Sequence, residues 1–554
     1  MTARAFRTAA AIAAACLAFG YYLLAAHPAA PAWRPVTTAR LLDADADDGW
    51  LMYRRTYDGH ARVPFTSIDA ANVARLRVAF TFGDASLASH ETTPIVNGRY
   101  LIATLPDDGV AALDATDGRV LWTYHHRMMP GAADHICCGT VNRGAAVFGD
   151  DVFIATIDCD VVALDARDGR IDWSRSLAPA GRGYSFTGAP LVVDGLVIVG
   201  SAGGEYSTRG FIAALDPETG ALRWRHETIA RADEPGGDTW PRGGNRSGGP
   251  AWQTGAYDAQ SDTLYWGTGN PMPWRGEKRE GANLYTDSLL ALDPKTGRLK
   301  WNYQFTPHDL WDYDGTNEPV LVDLRAGTRV VRALYQANRN GFFFLLDRAG
   351  GRFISATPFV RSTTIGGYHT DGSVRYAARD SGPLCPGTIG GKNWPPSSFD
   401  PATGLAFFGV VHACTKMQID AQADNGEDAA QYPEPGHSGY GEFVAWDVRA
   451  GKARWSFPTE LPWYDGAVAT ASGLVFSGGA DGIFRAFDER TGAVLWQHDL
   501  EAAVAGVPVI YMAGGKQYVA VFSGWDGGVA RQGPLARRLS GISKPGKLFV
   551  FALP

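Results

Sequence analysis

Short apolar runs separated by small turn residues dominate the chain, as in Ala189-Pro-Leu-Val-Val followed by Leu196-Val-Ile-Val. No 3.6-residue apolar period is sustained, so strands rather than helices are predicted. One polar punctuation recurs within this pattern. Ala112-x-Asp114 leads through Gly118 to Trp122, and the frame A-x-D-x-x-x-G-x-x-x-W returns at Asp165/Gly169/Trp173 and Asp216/Gly220/Trp224. It returns again at Asp293/Gly297/Trp301, Asp447/Gly451/Trp455 and Asp488/Gly492/Trp496. Asp347/Gly351 and Asp400/Gly404 keep the Asp-to-Gly spacing without the tryptophan. Each unit reads as a hairpin, with Asp bonding the turn backbone and Gly taking a positive φ. Eight strand-built units at a spacing of roughly fifty residues predict an all-β, eight-bladed β-propeller.

Composition agrees with one large globular fold. The chain has 554 residues, is 45% hydrophobic and 20% charged, and carries a net charge of -7. Its arginines are scattered, with no basic stripe, which excludes nucleic acid as the expected partner. Arg4 and Arg7 precede an apolar run over residues 8–26, so residues 1–32 read as a cleaved signal peptide or a retained membrane anchor. The propeller is then expected over 33–554, on the periplasmic side. Cys16 falls in the export segment, and Cys159 lies in an apolar run as a buried thiol. Cys137 and Cys138 are adjacent, Cys385 and Cys414 distant, and in an oxidising compartment both pairs are able to close. The absence of C-x-x-C-H means that no c-type haem is attached to this sequence.

The Asp…Gly…Trp units resemble the tryptophan-docking motifs of pyrroloquinoline quinone (PQQ) dehydrogenases, over nearly all of the chain from Trp50 to Lys547-Leu-Phe-Val-Phe. Non-catalytic propellers such as the outer-membrane assembly lipoproteins share the repeat, so the site residues must carry the function. Cys137-Cys138, in C-C-G-T-V-N-R, is the most specific. A bridge between neighbours is strained, and strain of this kind is kept at functional sites. The resemblance places that ring against one face of PQQ, with Trp252 as the flat floor of the other. It makes Arg143, Glu91, Thr187, Gly203, Gly204 and Asn393 cofactor contacts, and sets Arg339 beside the reacting quinone oxygens. Pro250 stands where relatives often have a hydrogen-bonding threonine. Cys385 and Cys414 match a structural disulfide.

Glu205, Asn270 and Asp312 match the family's metal positions, and all are hard oxygen donors. Asp314 adds a further acid in Trp311-Asp-Tyr-Asp-Gly, which resembles the lanthanide-dependent branch; calcium is the alternative. Asp312 is also the expected general base. A Rossmann dehydrogenase is excluded because no strand–GxGxxG–helix unit appears. A scaffold propeller explains the repeats but leaves Cys137-Cys138, Trp252 and the acids as coincidences. The resemblance therefore implies a periplasmic quinoprotein that oxidises a small primary alcohol to the aldehyde and passes electrons to a separate cytochrome c. A sugar or polyol is the alternative substrate.

Overall fold

The computed structural model describes residues 31–243, 246–274, 276–378, 382–419, 426–525, 533–539 and 541–554; the predicted export segment and Cys16 lie outside them. Among the described residues no helix is long and apolar enough to cross a membrane. Residues Trp33–Pro554 form one compact unit.

Eight sheets make the blades, here numbered along the chain, all antiparallel except where Arg62–Val63 adds a short parallel strand against Ala469–Thr470. Blade I is Ile95–Asn97, Tyr100–Thr104, Val110–Asp114 and Val120–Tyr124. Blades II and III begin at Ala146–Phe148 and Leu191–Val193, blades IV and V at Ala256–Asp258 and Val320–Ala326. Blades VI and VII begin at Ser398–Asp400 and Ala467–Thr470. Blade VIII joins the two ends of the chain: Val509–Ala513, Lys516–Ser523 and Lys547–Ala552 are completed by Arg77–Gly83. Residues 57–63 cross the inner strands of blades IV to VII, with Tyr57, Asp58, His60 and Ala61 carbonyls accepting from Tyr257, Leu321, Phe399 and Ala469 amides.

The repeat explains how neighbouring blades adhere. Asp293 Oδ1 accepts from the Lys295 and Thr296 amides, closing the turn. Gly297 then lies under the indole of Trp224 from the preceding blade, and a Cβ there would stand 2.4 Å from Trp224 Cε3. Trp224 Nε1 donates to Pro294 O at 2.9 Å. Trp122 over Gly169, Trp173 over Gly220, Trp301 over Gly351 and Trp455 over Gly492 repeat the joint.

Two details differ from the sequence expectation. Asp400/Gly404 joins the first and second strands of blade VI, whose outer hairpin already carries Asp447/Gly451. Blade VIII instead has no unit of its own, because its third and fourth strands come from opposite ends of the chain and need no turn between them. Its outer strand supplies Phe80, not tryptophan, to cover Gly118 of blade I.

The strand order fixes where a site is built. Each inner strand runs away from one end of the ring and the second strand returns to it. The loops between second and third strands, and the segments leading into the next blade, therefore gather at that end. The Asp…Gly turns lie at the other.

Candidate active site

The segments entering the blades are laced together by backbone bonds. Thr93 N donates to Arg143 O, and Arg143 N donates to Thr187 O, each at 3.1 Å. Glu91, Arg143, Thr187, Trp252, Asp312, Asp314 and Asn393 all sit in such segments. Glu205, Asn270 and Arg339 lie in the loops between second and third strands of blades III, IV and V. A cavity of about 770 Å³ opens where they converge.

Twelve of the fourteen residues singled out in the sequence line this cavity: Glu91, Cys137, Cys138, Arg143, Thr187, Gly203, Glu205, Trp252, Asp312, Asp314, Arg339 and Asn393. Gly204 and Asn270 are not in the lining. Gly204 is packed behind it, where a Cβ would meet Pro250 at 2.8 Å and Asn270 Oδ1 at 3.5 Å. Gly203 has φ +97 and starts the short turn Gly204–Tyr206 that carries Glu205. The sequence reading missed Ser185, Trp394 and Tyr464, which line the wall together with Val141, Ala202 and Pro250. Trp394 follows Asn393 directly and Ser185 lies two residues before Thr187, so these two had a usable signal. Cys137–Cys138 and Cys385–Cys414 are bridged, and Cys159 is a buried free thiol.

One end of the cavity is aromatic and cationic. The Arg143 guanidinium lies 4.8 Å from the ring centroids of both Trp252 and Trp394 and meets Glu91 Oε2 at 2.6 Å. Both charges are nearly buried, so each stabilises the other where water is excluded. Asn393 is held by its own loop, donating from Nδ2 to Ile389 O at 2.8 Å.

The other end is acidic. Arg339 reaches Asp312 Oδ2 at 2.8 Å and Asp314 Oδ2 at 2.7 Å, while its Nε donates to Thr388 O at 2.8 Å. Asp314 is the hub: Oδ2 also accepts from Trp252 Nε1 at 3.2 Å, and Oδ1 accepts from Asn270 N at 3.0 Å. Burial drives the Asp312 carboxyl well above the usual range, opposed by Arg339 and reinforced by Asp314 and Glu205. Burial raises Glu205 likewise, with Asp314 adding to it. Burial opposes the Arg339 charge, but Asp312 and Asp314 outweigh it.

Asn270 Oδ1 and Asp312 Oδ1 are buried without a hydrogen-bond partner. An orphaned buried oxygen is costly unless something satisfies it. Three carboxylates face a single guanidinium here, so the donor set fits a hard cation. A broad indole beside Arg143, Ser185 and Thr187 likewise fits a flat, anionic, polycyclic cofactor.

Fold and cavity together describe a propeller oxidoreductase built around a flat redox cofactor. The family model described as "PQQ: Glucose/ethanol/alcohol dehydrogenase, beta-propeller domain" matches residues 50–358 and 452–519, and the chain belongs to this family of PQQ-dependent alcohol dehydrogenases. It is 36% identical to the quinohemoprotein alcohol dehydrogenase ADH IIB of Pseudomonas putida, over 91% of this chain and 77% of that one. It is 35% identical to a lanthanide-dependent methanol dehydrogenase of Methylacidiphilum fumariolicum, over 91% of this chain and 90% of that one. Among solved structures, a europium-containing methanol dehydrogenase superimposes with a TM-score of 0.87 at 32% identity, covering 93% of this chain and 100% of that one. The scaffold alternative is thereby set aside, and the protein is an oxidoreductase acting on the CH–OH group of alcohols.

Proposed function

We propose that the protein oxidises primary alcohols to aldehydes, with Asp312 taking the hydroxyl proton. The observation that carries this is the state of the Asp312 carboxylate. Oδ2 is pinned by Arg339 and Oδ1 is left unpartnered, in the same cavity as Trp252 and the vicinal disulfide. A placed carboxylate with one uncommitted oxygen is suited to general-base work.

When bound, PQQ supplies a quinone carbon that accepts the hydride, and a metal supplies Lewis-acid polarisation of the neighbouring carbonyl. Trp252 provides the floor for the ring system, its indole fixed in rotation by Asp314. Arg143, Thr187, Glu91, Gly203 and Asn393 would hold the cofactor. Glu205, Asn270 and Asp312 would hold the metal, with Asp314 contributing charge beside them. Arg339 keeps Asp312 oriented and sets a fixed positive charge where negative charge develops. The names of the methanol dehydrogenase relatives and the extra acid at Asp314 support a lanthanide, with calcium as the alternative.

Electrons leave to a separate periplasmic cytochrome c, a reading supported by the absence of C-x-x-C-H from the sequence. The basic, apolar N-terminal segment supports export, by a signal peptide or by anchoring to the inner membrane. The test is to load the purified protein with PQQ and either La³⁺ or Ca²⁺, then assay a panel of alcohols with an artificial dye. Aldehyde should form with at least one metal, and ferricytochrome c should replace the dye. No turnover with any alcohol, despite bound PQQ, would refute the assignment.

A further inference from the structure

A second cluster of ligating side chains lies apart from the cofactor cavity. His412 follows the second strand of blade VI, Leu405–Val411, and Glu442 lies in the third, Gly441–Asp447. The paired strands Ala413–Ile419 and Gly426–Pro433 lie between them, and Glu434 and His437 sit on the turn that follows, closed by His437 N donating to Glu434 O at 3.0 Å. His412 is 6% exposed. Its Nδ1 lies 2.8 Å from Glu434 Oε2 and its Nε2 lies 3.0 Å from Glu442 Oε2. The His437 ring stacks on that of His412 with centroids 3.7 Å apart, and its Nδ1 lies 3.0 Å from Gly439 O.

His412 faces a carboxylate at each ring nitrogen, so loss of the proton between Nε2 and Glu442 leaves a lone pair on Nε2 while Glu434 keeps the Nδ1 proton. His437 Nδ1 faces both the Gly439 carbonyl at 3.0 Å and the Gly439 amide at 3.4 Å. With its proton on the carbonyl side, its Nε2 carries the lone pair. Metal-bound histidines show this same arrangement, the remote N–H donated to a carboxylate or a backbone carbonyl. The ligand atoms of His412, His437 and Glu442 all lie within 4.8 Å of one another. Two ligands on one tetrahedral zinc stand about 3.2–3.5 Å apart, close to the His412 Nε2–Glu442 Oε2 separation.

We propose that His412, His437 and Glu442 bind a divalent zinc-like cation through Nε2, Nε2 and a carboxylate oxygen, with Glu434 orienting His412. The cation takes the place of the proton otherwise shared by His412 Nε2 and Glu442, and the half-exposed His437 ring tilts from the stack to reach it. Two imidazoles and one carboxylate favour a borderline transition metal over the hard cation of the cofactor cavity. The site braces the wall of that cavity. Val411 and Ala413 flank His412 and share an apolar cluster with Trp394 and Tyr464. Ala413 O accepts from Gly387 N, next to the Thr388 carbonyl that receives Arg339 Nε.

The experiment titrates ZnCl₂ into chelator-treated full-length protein at pH 7.5, by calorimetry and by the shift in thermal midpoint. Wild type and Asp312→Asn should each bind one equivalent that His437→Ala lacks. Glu434→Gln should keep that equivalent at about 10–100-fold weaker affinity, the usual effect of losing a histidine's outer partner. Identical zinc binding by wild type and His437→Ala would overturn the proposal. So would an equivalent lost in Asp312→Asn and kept in His437→Ala.

Discussion

Gly297 and Gly404 separate two costs that docking glycines usually combine. Their φ angles are +68 and +71, and each amide closes the same turn onto an aspartate carbonyl, at 2.9 and 2.8 Å. Beneath Gly297 lies Trp224, with Cε3, Cδ2 and Cζ3 at 2.4, 2.7 and 3.0 Å from a Cβ, whereas Gly404 has nothing within 4 Å. Alanine at either site meets the left-handed penalty of about 1–2 kcal/mol. At Gly297 it also forces a rigid indole outward, which costs about 1–3 kcal/mol by overpacking. Loosening the Trp224 Nε1 bond to Pro294 O costs about 1 kcal/mol more. Gly297→Ala should therefore destabilise by about 3–6 kcal/mol and Gly404→Ala by about 1–2 kcal/mol. Urea unfolding of the two variants, followed by tryptophan fluorescence, measures the difference. Equal losses would show that the indole does not hold blade III to blade IV.

Asp312→Asn should lower kcat by about 10²–10⁴-fold. PQQ should still be recovered from the denatured holoprotein, which distinguishes a lost base from a lost cofactor. Asp314→Ala should reduce lanthanide-supported activity more than calcium-supported activity; unchanged rates on both metals would remove the lanthanide assignment. Arg143→Met should destabilise the protein by about 3–5 kcal/mol by leaving Glu91 without its guanidinium. The double variant with Glu91→Gln should recover part of that loss in urea unfolding, and strict additivity would show that the pair is not coupled.

The sequence carried the blades because each letter of the repeat has a local duty. Asp closes a turn, Gly leaves room for an indole, and Trp fills it. The pattern misassigned Asp400/Gly404 for the same reason: the turn chemistry is right, but no tryptophan stands above Gly404 to make it a blade joint. Blade VIII left no such trace, since strands drawn from opposite termini share no turn. The site residues were legible where a short motif surrounds them, as with Cys137-Cys138 and Asp312-x-Asp314. Ser185 lies two residues before Thr187 within the same short motif, whereas Tyr464 has no motif and only closure of the ring brings it to the cavity. The contacts of Asp314 with Trp252 and Asn270 span 62 and 44 residues, beyond any local pattern.

Those contacts divide the labour of the two aspartates. Both Asp314 oxygens are committed to protein donors, one to Arg339 and Trp252 and the other to the Asn270 amide. Asp312 Oδ1 and Asn270 Oδ1 are uncommitted. A metal bound by Asp314 would share its oxygens with these donors, whereas Asn270 Oδ1 has no protein partner to share. Asp314 ties the Trp252 indole and the Asn270 backbone into a common frame. Asparagine is a poor replacement for it. Whichever way the amide is turned, its nitrogen faces a donor, either Arg339 Nη1 and Trp252 Nε1 or the Asn270 amide, while the negative charge is lost as well. Alanine loses the same charge and the same frame without that clash. Asp314→Asn should thus be at least as damaging as Asp314→Ala if the frame matters, and milder than it if only bulk does.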